Sequence, residues 1–227
     1  MCGRYTNKAK KEEIEAEFNV NVGQDYHFEP RYNIAPTQLI DVILEAKGER
    51  IINQLKWGLI PSWAKDDSLA AKMINARAET LAEKPSFKNA FKSRRCIIPA
   101  SGFYEWQKFD KSTKQPFYFY LKDKDLFGFA GLYENWLDKK TGELFETCTI
   151  ITTEANAVLS PIHERMPVIL KPEDYNQWLD EKEKDTSKLQ NLLVPYSAQE
   201  MDSYQVSKSV NSPLVDSEDL VKPMNFR

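Results

Sequence analysis

RCIIPASGFYEWQKF, residues 95–109, decides the fold: branched and aromatic side chains dominate it, as they do in paired strands. The signal continues through QPFYFYLK (115–122) and LFGFAGLYENW (126–136). In ELFETCTIITTE (143–154), Leu144, Glu146, Cys148 and Ile150 alternate against Phe145, Thr147 and Thr149, which predicts another strand. Upstream, LIDVILEA (39–46) and IINQLKWGL (51–59) flank KGER (47–50) and read as a hairpin. Helix signals are short. Asn7 is placed to cap KAKKEEIEAEF (8–18), where Ile14 and Phe18 share a face. EANAVLS (154–160) and KPEDYNQWLDEK (171–182), with Pro172 in its first turn, predict two more. The polar KEKDTSKLQ (182–190) reads as a surface loop or helix end, and the tail from Val206 to Pro223 as a segment returning to the core. Strands dominate without regular strand–helix alternation. The expectation is one α+β domain over residues 1–227, with a strand-rich, barrel-like or sandwich sheet core and peripheral helices.

Composition narrows the function classes. With 227 residues the chain is long enough to bury a full core. No apolar run approaches the roughly 20 residues that span a bilayer, and Lys8, Lys10 and Lys11 run into Glu12 and Glu13 where a signal peptide would be apolar. The expectation is a cytoplasmic, nucleoid-associated monomer with no membrane partner. The three cysteines, Cys2, Cys96 and Cys148, show no C-x-x-C spacing, and there are only two histidines, His27 and His163. Neither a disulfide framework nor a metal site is expected, and no cofactor. Net charge is −3, which speaks against a nonspecific nucleic-acid coat. Arginine, however, is concentrated in a few short motifs while lysine is scattered, and the flat guanidinium fork suits phosphate.

Several residues stand out chemically. Cys2 directly follows the initiator methionine. Once Met1 is trimmed, Cys2 holds an α-amine and a thiol on adjacent carbons, with ordinary pKa values of about 8 and 8.5. Such a pair condenses with an aldehyde to an imine and then closes a thiazolidine ring. In INAR (74–77), an extended backbone would point Asn75 and Arg77 to one face. Glu105, flanked by Phe103, Tyr104 and Trp106, is set to be desolvated, which raises a carboxyl pKa and suits proton transfer near neutrality. His163 lies between two prolines in PIHERMP (161–167). PRYNIAP (30–36) and KWGLIPSW (56–63) mix Arg31, Asn33 and Trp63 in loops, a combination suited to single-stranded nucleic acid through phosphate contacts and base stacking. Taken singly, each also has an ordinary structural reading: a buried small thiol, a helix cap with a surface arginine, an exposed strand glutamate, a core histidine or a core aromatic.

Their order carries more than any one of them. CGRY (2–5), RYNIAP (31–36), WGLIPSW (57–63), INARAET (74–80), RRCIIPASGFYEW (94–106) and IHERMPVIL (162–170) together closely resemble the SOS response-associated peptidase (SRAP) family, from Cys2 to at least Leu170. The resemblance implies a sensor of abasic sites in single-stranded DNA, crosslinked through a thiazolidine at the cysteine that Met removal exposes. It implies Cys2 as nucleophile, Asn75 beside the α-amine, and Glu105 and His163 as proton-transfer groups. Arg4 and Arg77 become DNA contacts and Pro36 a wedge between bases. A Schiff-base stage also permits lyase chemistry, and Cys2 with His163 is compatible with (auto)peptidase activity. A noncovalent reader of modified bases is the third reading. Ala64 follows Trp63 where some relatives carry a second aromatic.

Overall fold

The computed structural model describes residues 2–24, 26–110 and 113–224. Thirteen strands are β1 (Tyr5–Asn7), β2 (Arg31–Ile34), β3 (Leu39–Ala46), β4 (Glu49–Trp57), β5 (Asn75–Arg77), β6 (Arg95–Ala100), β7 (Gly102–Lys108), β8 (Lys114–Leu121), β9 (Phe127–Leu137), β10 (Leu144–Glu154), β11 (Arg165–Pro167), β12 (Ile169–Leu170) and β13 (Met201–Gln205). The α-helices are short: α1 (Lys11–Phe18), α2 (Lys88–Ser93), α3 (Tyr175–Leu179) and α4 (Thr186–Gln190). No helix among the described residues is long and apolar enough to cross a membrane.

The predicted strand-rich α+β fold is what the chain adopts, and its barrel-like element is explicit. β4 pairs with β3, β3 with β6, β6 with β9, β9 with β10, and β10 with β4, so five strands close a ring. Closure removes free edges. A second sheet runs β13-β8-β7-β1-β2. Period-two alternation sorts side chains to the two sides of the ring wall. Cys96, Ile98, Phe129, Cys148 and Ile150 join Tyr5, Phe103 and Phe119 of the second sheet in one buried cluster. Ile97, Ala130, Leu132 and Ile151 face the other way, against Ile14 and Phe18 of α1, Phe91 of α2, Trp178 of α3 and Leu189 of α4. The helices are therefore peripheral.

The predicted hairpin is β3–β4, in register from Leu39 opposite Lys56 to Ala46 opposite Glu49. Its turn needs positive φ at both central residues, met by Lys47 (φ 56°) and Gly48 (φ 83°). Two helix expectations are corrected. Asn7 does not cap α1: it is captured as the last residue of β1, opposite Arg31, and Lys10 is the cap, its N–H donating to Glu13 Oε2 at 2.7 Å. EANAVLS forms a turn, because the Asn156 side chain accepts from the Val158 and Leu159 N–H groups and competes with helix extension. MPVIL splits into β11 and β12, and the KEKDTSKLQ stretch holds α4. The returning tail is present: Val206, Val210 and Leu220 pack on Tyr104 and Tyr118.

Candidate active site

The amino end is drawn into the molecule by strand pairing. β1 lies between β7 and β2, with Tyr5 opposite Phe103 on one side and Ile34 on the other. The Tyr104 N–H donates to the Arg4 carbonyl at 2.9 Å, which carries the pairing past the end of β1. Continuing that antiparallel register sets Gly3 opposite Glu105 and brings Cys2 beside it. Gly102 is required here, since a Cβ on it would lie 2.3 Å from the Tyr118 ring. Cys2 is fully buried, packed in the cluster between the ring and the second sheet.

Burial sets the protonation of this pair. Glu105 is 3% exposed. Its pKa is pushed up to about 7, chiefly by desolvation and against the lowering influence of the positive charge at the chain's amino end. Desolvation pushes the Cys2 thiol well above its ordinary range, and the neighbouring Glu105 charge adds to the shift. The resting thiol is therefore protonated, while Glu105 is divided between acid and carboxylate near neutrality.

A second group comes from β5 and β11, which flank β10 on opposite sides: Asn75 and Arg77 sit opposite Ile150 and Thr152, and Arg165 opposite Glu154. Ala76 packs into the helix-side core, so Asn75 and Arg77 point to the other side of β5, as their spacing predicted. The Asn75 amide donates to the Ile74 carbonyl at 2.9 Å. Its Oδ1 is buried and accepts from no group among the described residues. Glu79 and Arg165 form a bidentate pair at 2.7 and 2.9 Å, and Arg165 also donates to the Thr152 carbonyl at 2.6 Å. This brace joins the INARAET and IHERMP segments. The Arg165 N–H donates to His163 Nδ1 at 3.0 Å. Nδ1 also lies 3.2 Å from the Arg165 carbonyl, so the neutral ring holds its proton on Nε2 when Nδ1 accepts from that N–H and on Nδ1 when it donates to that carbonyl. Burial, followed by the positive amino end, lowers the His163 pKa and favours that neutral form.

The residues expected to meet DNA divide into two sets. Arg77 and Trp63 are exposed, Trp63 at 59%, and Pro36 is partly exposed. Arg31 donates to the Leu39 carbonyl at 2.8 Å and to Gln38. Arg4 donates to Asn33 Oδ1 and to the Val210 carbonyl, both at 2.7 Å. Asn33 is buried, and its amide donates to the Ser212 and Val215 carbonyls at 2.9 and 2.6 Å. Arg4 and Asn33 thus tie the returning tail to the strand that carries Cys2. Sequence reasoning gave no role to Glu79 or Arg165 and expected of the tail only that it return to the core. An acidic residue in one motif and an arginine in another are a detectable complementary pair, but only contact shows that they meet. Ala64 is buried, with its carbonyl accepting from Trp136 Nε1 at 2.8 Å, so that position faces inward. Among the described residues no group of three or more His, Cys, Asp or Glu side chains is arranged to hold a metal ion.

The family model described as SOS response associated peptidase (SRAP) matches residues 1–213. The chain belongs to the SRAP family. Abasic site processing protein YoqW of Bacillus subtilis (strain 168) is 48% identical, over 98% of this chain and 99% of that protein. Abasic site processing protein HMCES of Gallus gallus is 33% identical, over 88% of this chain and 68% of that protein. Among solved structures, a protein from Bacteroides thetaiotaomicron superposes with a TM-score of 0.88 at 31% identity, over 99% of this chain and all of that one. These relatives support the SRAP-like α+β fold, and the family match places all six motifs within one homologous region.

Proposed function

We propose that this SRAP protein processes abasic sites in single-stranded DNA by forming a thiazolidine between Cys2, freed of Met1, and the abasic aldehyde. The carrying observation is Cys2 buried beside a carboxyl group whose pKa is about 7. Relatives named abasic site processing proteins support the substrate class. The abasic sugar opens first: the Glu105 carboxylate takes the C1′ hydroxyl proton, the C1′–O4′ bond breaks, and O4′ takes a proton from the His163 imidazolium, which a proton from bulk water restores. The Cys2 amine, accepted by Asn75 Oδ1, then adds to the aldehyde. Protonated Glu105 gives its proton to the leaving hydroxyl, so water departs and an iminium remains. Ring closure joins Sγ to C1′, with the thiol proton passing to Glu105. Holding amine, thiol and aldehyde together supplies much of the gain, since effective molarities of about 10⁵ M or more are attainable.

The order amine-then-thiol follows from the raised thiol pKa. Before the imine forms, little thiolate exists to attack; the iminium charge then favours its formation. The same burial counts against a peptidase in which a Cys2 thiolate leads. The Schiff-base stage leaves lyase cleavage by β-elimination as a competing exit that ring closure intercepts. The whole chain folds as one SRAP-like domain in this reading and acts as a monomer on DNA within the cytoplasm, at the nucleoid. Arg77, Trp63, Pro36 and Arg31 meet the strand, with Arg4 and Asn33 supporting them. The test is intact mass of Met-trimmed protein mixed with an abasic oligonucleotide. The expected product is protein plus DNA minus one water; a heat-stable adduct formed equally by Cys2→Ala would end the proposal.

A further inference from the structure

The tip of the β7–β8 hairpin has a composition the proposed chemistry does not use. Among the described residues, Lys108, Asp110 and Lys114 flank Phe109, in a chain whose net charge is −3. Lys108 and Lys114 are directly opposed across the hairpin. Like charges in that position destabilise a strand pair, and Asp110 brings one negative charge to the two lysines that line the same hollow. Phe109 is 61% exposed, and among the described Phe, Tyr and Trp residues only Trp63 is comparably open. Lys108, Phe109, Asp110 and Lys114 line a shallow open hollow of about 560 Å³.

This tip is continuous with the candidate site. β7 carries Glu105 and then runs outward; at about 3.3 Å per residue, Lys108 lies about 10 Å further on. Phe109 directly follows β7 with the parity of Glu105 and Gln107, while Lys108 and the opposed Lys114 take the other face, so ring and cations flank the hairpin end from its two sides.

We infer that the β7–β8 tip is a second holding point for the DNA strand: Phe109 stacks on a base a few nucleotides from the abasic position, and Lys108 and Lys114 hold the phosphates beside it. An aromatic ring between cations is how proteins grip single strands without reading their sequence. The inference rests on the proposed function for its ligand.

The test uses Met-trimmed protein and fluorescent single-stranded oligonucleotides with a central tetrahydrofuran, an abasic analogue that lacks the aldehyde. The oligonucleotides carry flanks on both sides, the 5′ side only or the 3′ side only. Phe109→Ser is expected to weaken binding by about fivefold or more, the low end for losing one base stack. The loss should vanish on the oligonucleotide that lacks the flank held by the tip. Lys108→Ser with Lys114→Ser should reduce the slope of log affinity against log salt by about 0.7 for each phosphate contact removed. Lys92→Ser, exposed on α2 in the helix layer, should change neither. Unchanged affinity for Phe109→Ser and an unchanged slope for the double variant on every oligonucleotide would overturn the inference, even if the wild type crosslinks. Tip-dependent binding by a protein that never crosslinks would leave the inference standing and remove the covalent reading.

Discussion

Two buried charged residues, ten positions apart on either side of the same bend in the chain's central motif, behave oppositely. Arg95 opens β6 and faces the helix layer. Its guanidinium donates to the carbonyls of Trp178 at 2.6 Å, Phe91 at 3.0 Å and Glu183 at 3.2 Å, and to that of Asp180. These carbonyls lie at or near the ends of α2 and α3, where helices leave acceptors over and welcome a cation. Glu105 on β7 is equally buried, yet burial leaves its proton affinity near neutrality. One charge is spent on structure because its partners are complete. The other keeps a proton exchangeable because desolvation outweighs the lowering influence of the positive amino end and the Trp106 backbone. A charge inside a core is informative only once its partners are counted.

The comparison breaks most visibly at Cys2. Cys2→Ala, or retention of Met1, should abolish the heat-stable adduct with abasic DNA on denaturing gels while leaving the melting curve close to wild type. On the structural side, Arg95→Met should destabilise the fold by about 3 kcal/mol, because four buried carbonyls lose their donor. Denaturant unfolding measures this, and a loss under 1 kcal/mol would mean that water replaces the guanidinium.

Glu105→Gln should act with the opposite sign. The folded protein holds the Glu105 proton more tightly than the unfolded chain, from an ordinary 4.5 to about 7. Its contribution is most favourable below about pH 4.5, declines as pH rises through that window, and is lost above pH 7. Glu105→Gln should therefore stabilise the protein by about 3 kcal/mol at pH 8 and hardly at all at pH 4. It should also slow crosslinking and remove an inflection near pH 7 from the rate profile. A pH-independent change in stability would show that Glu105 is no more protonated folded than unfolded. The smallest expected effect is at the brace. Glu79→Gln disturbs a pair whose acid is half exposed, so stability should change by less than about 1 kcal/mol. The crosslinking rate should fall a few-fold as Asn75 and His163 lose their common support, and Glu79→Asp should restore part of it.

Strand identity was legible along the chain because alternation is local: Cys96 and Ile98 go one way and Ile97 the other in sequence and in structure alike. The Ile14–Phe18 face, the β3–β4 hairpin and the desolvation of Glu105 were legible for the same reason. The errors occurred where a distant segment competes with a local preference. Asn7 has the side chain of a helix cap, but pairing with Arg31 makes it the end of a strand. Arg4 and Asn33 gain a further role that the sequence did not show, since the returning tail supplies acceptors for both.

The sequence by itself determined the parts: a cysteine directly after Met1, a glutamate among aromatics, and six motifs in a family order. Tertiary structure alone decided that β1 lies between β7 and β2, which draws Cys2 against Glu105 across a separation of about a hundred residues. It also decided that Glu79 and Arg165 meet across β10. Side-chain type and spacing are written in the chain, but a pKa near 7 arises only when burial removes water from around a carboxyl group, and burial is a property of the whole fold.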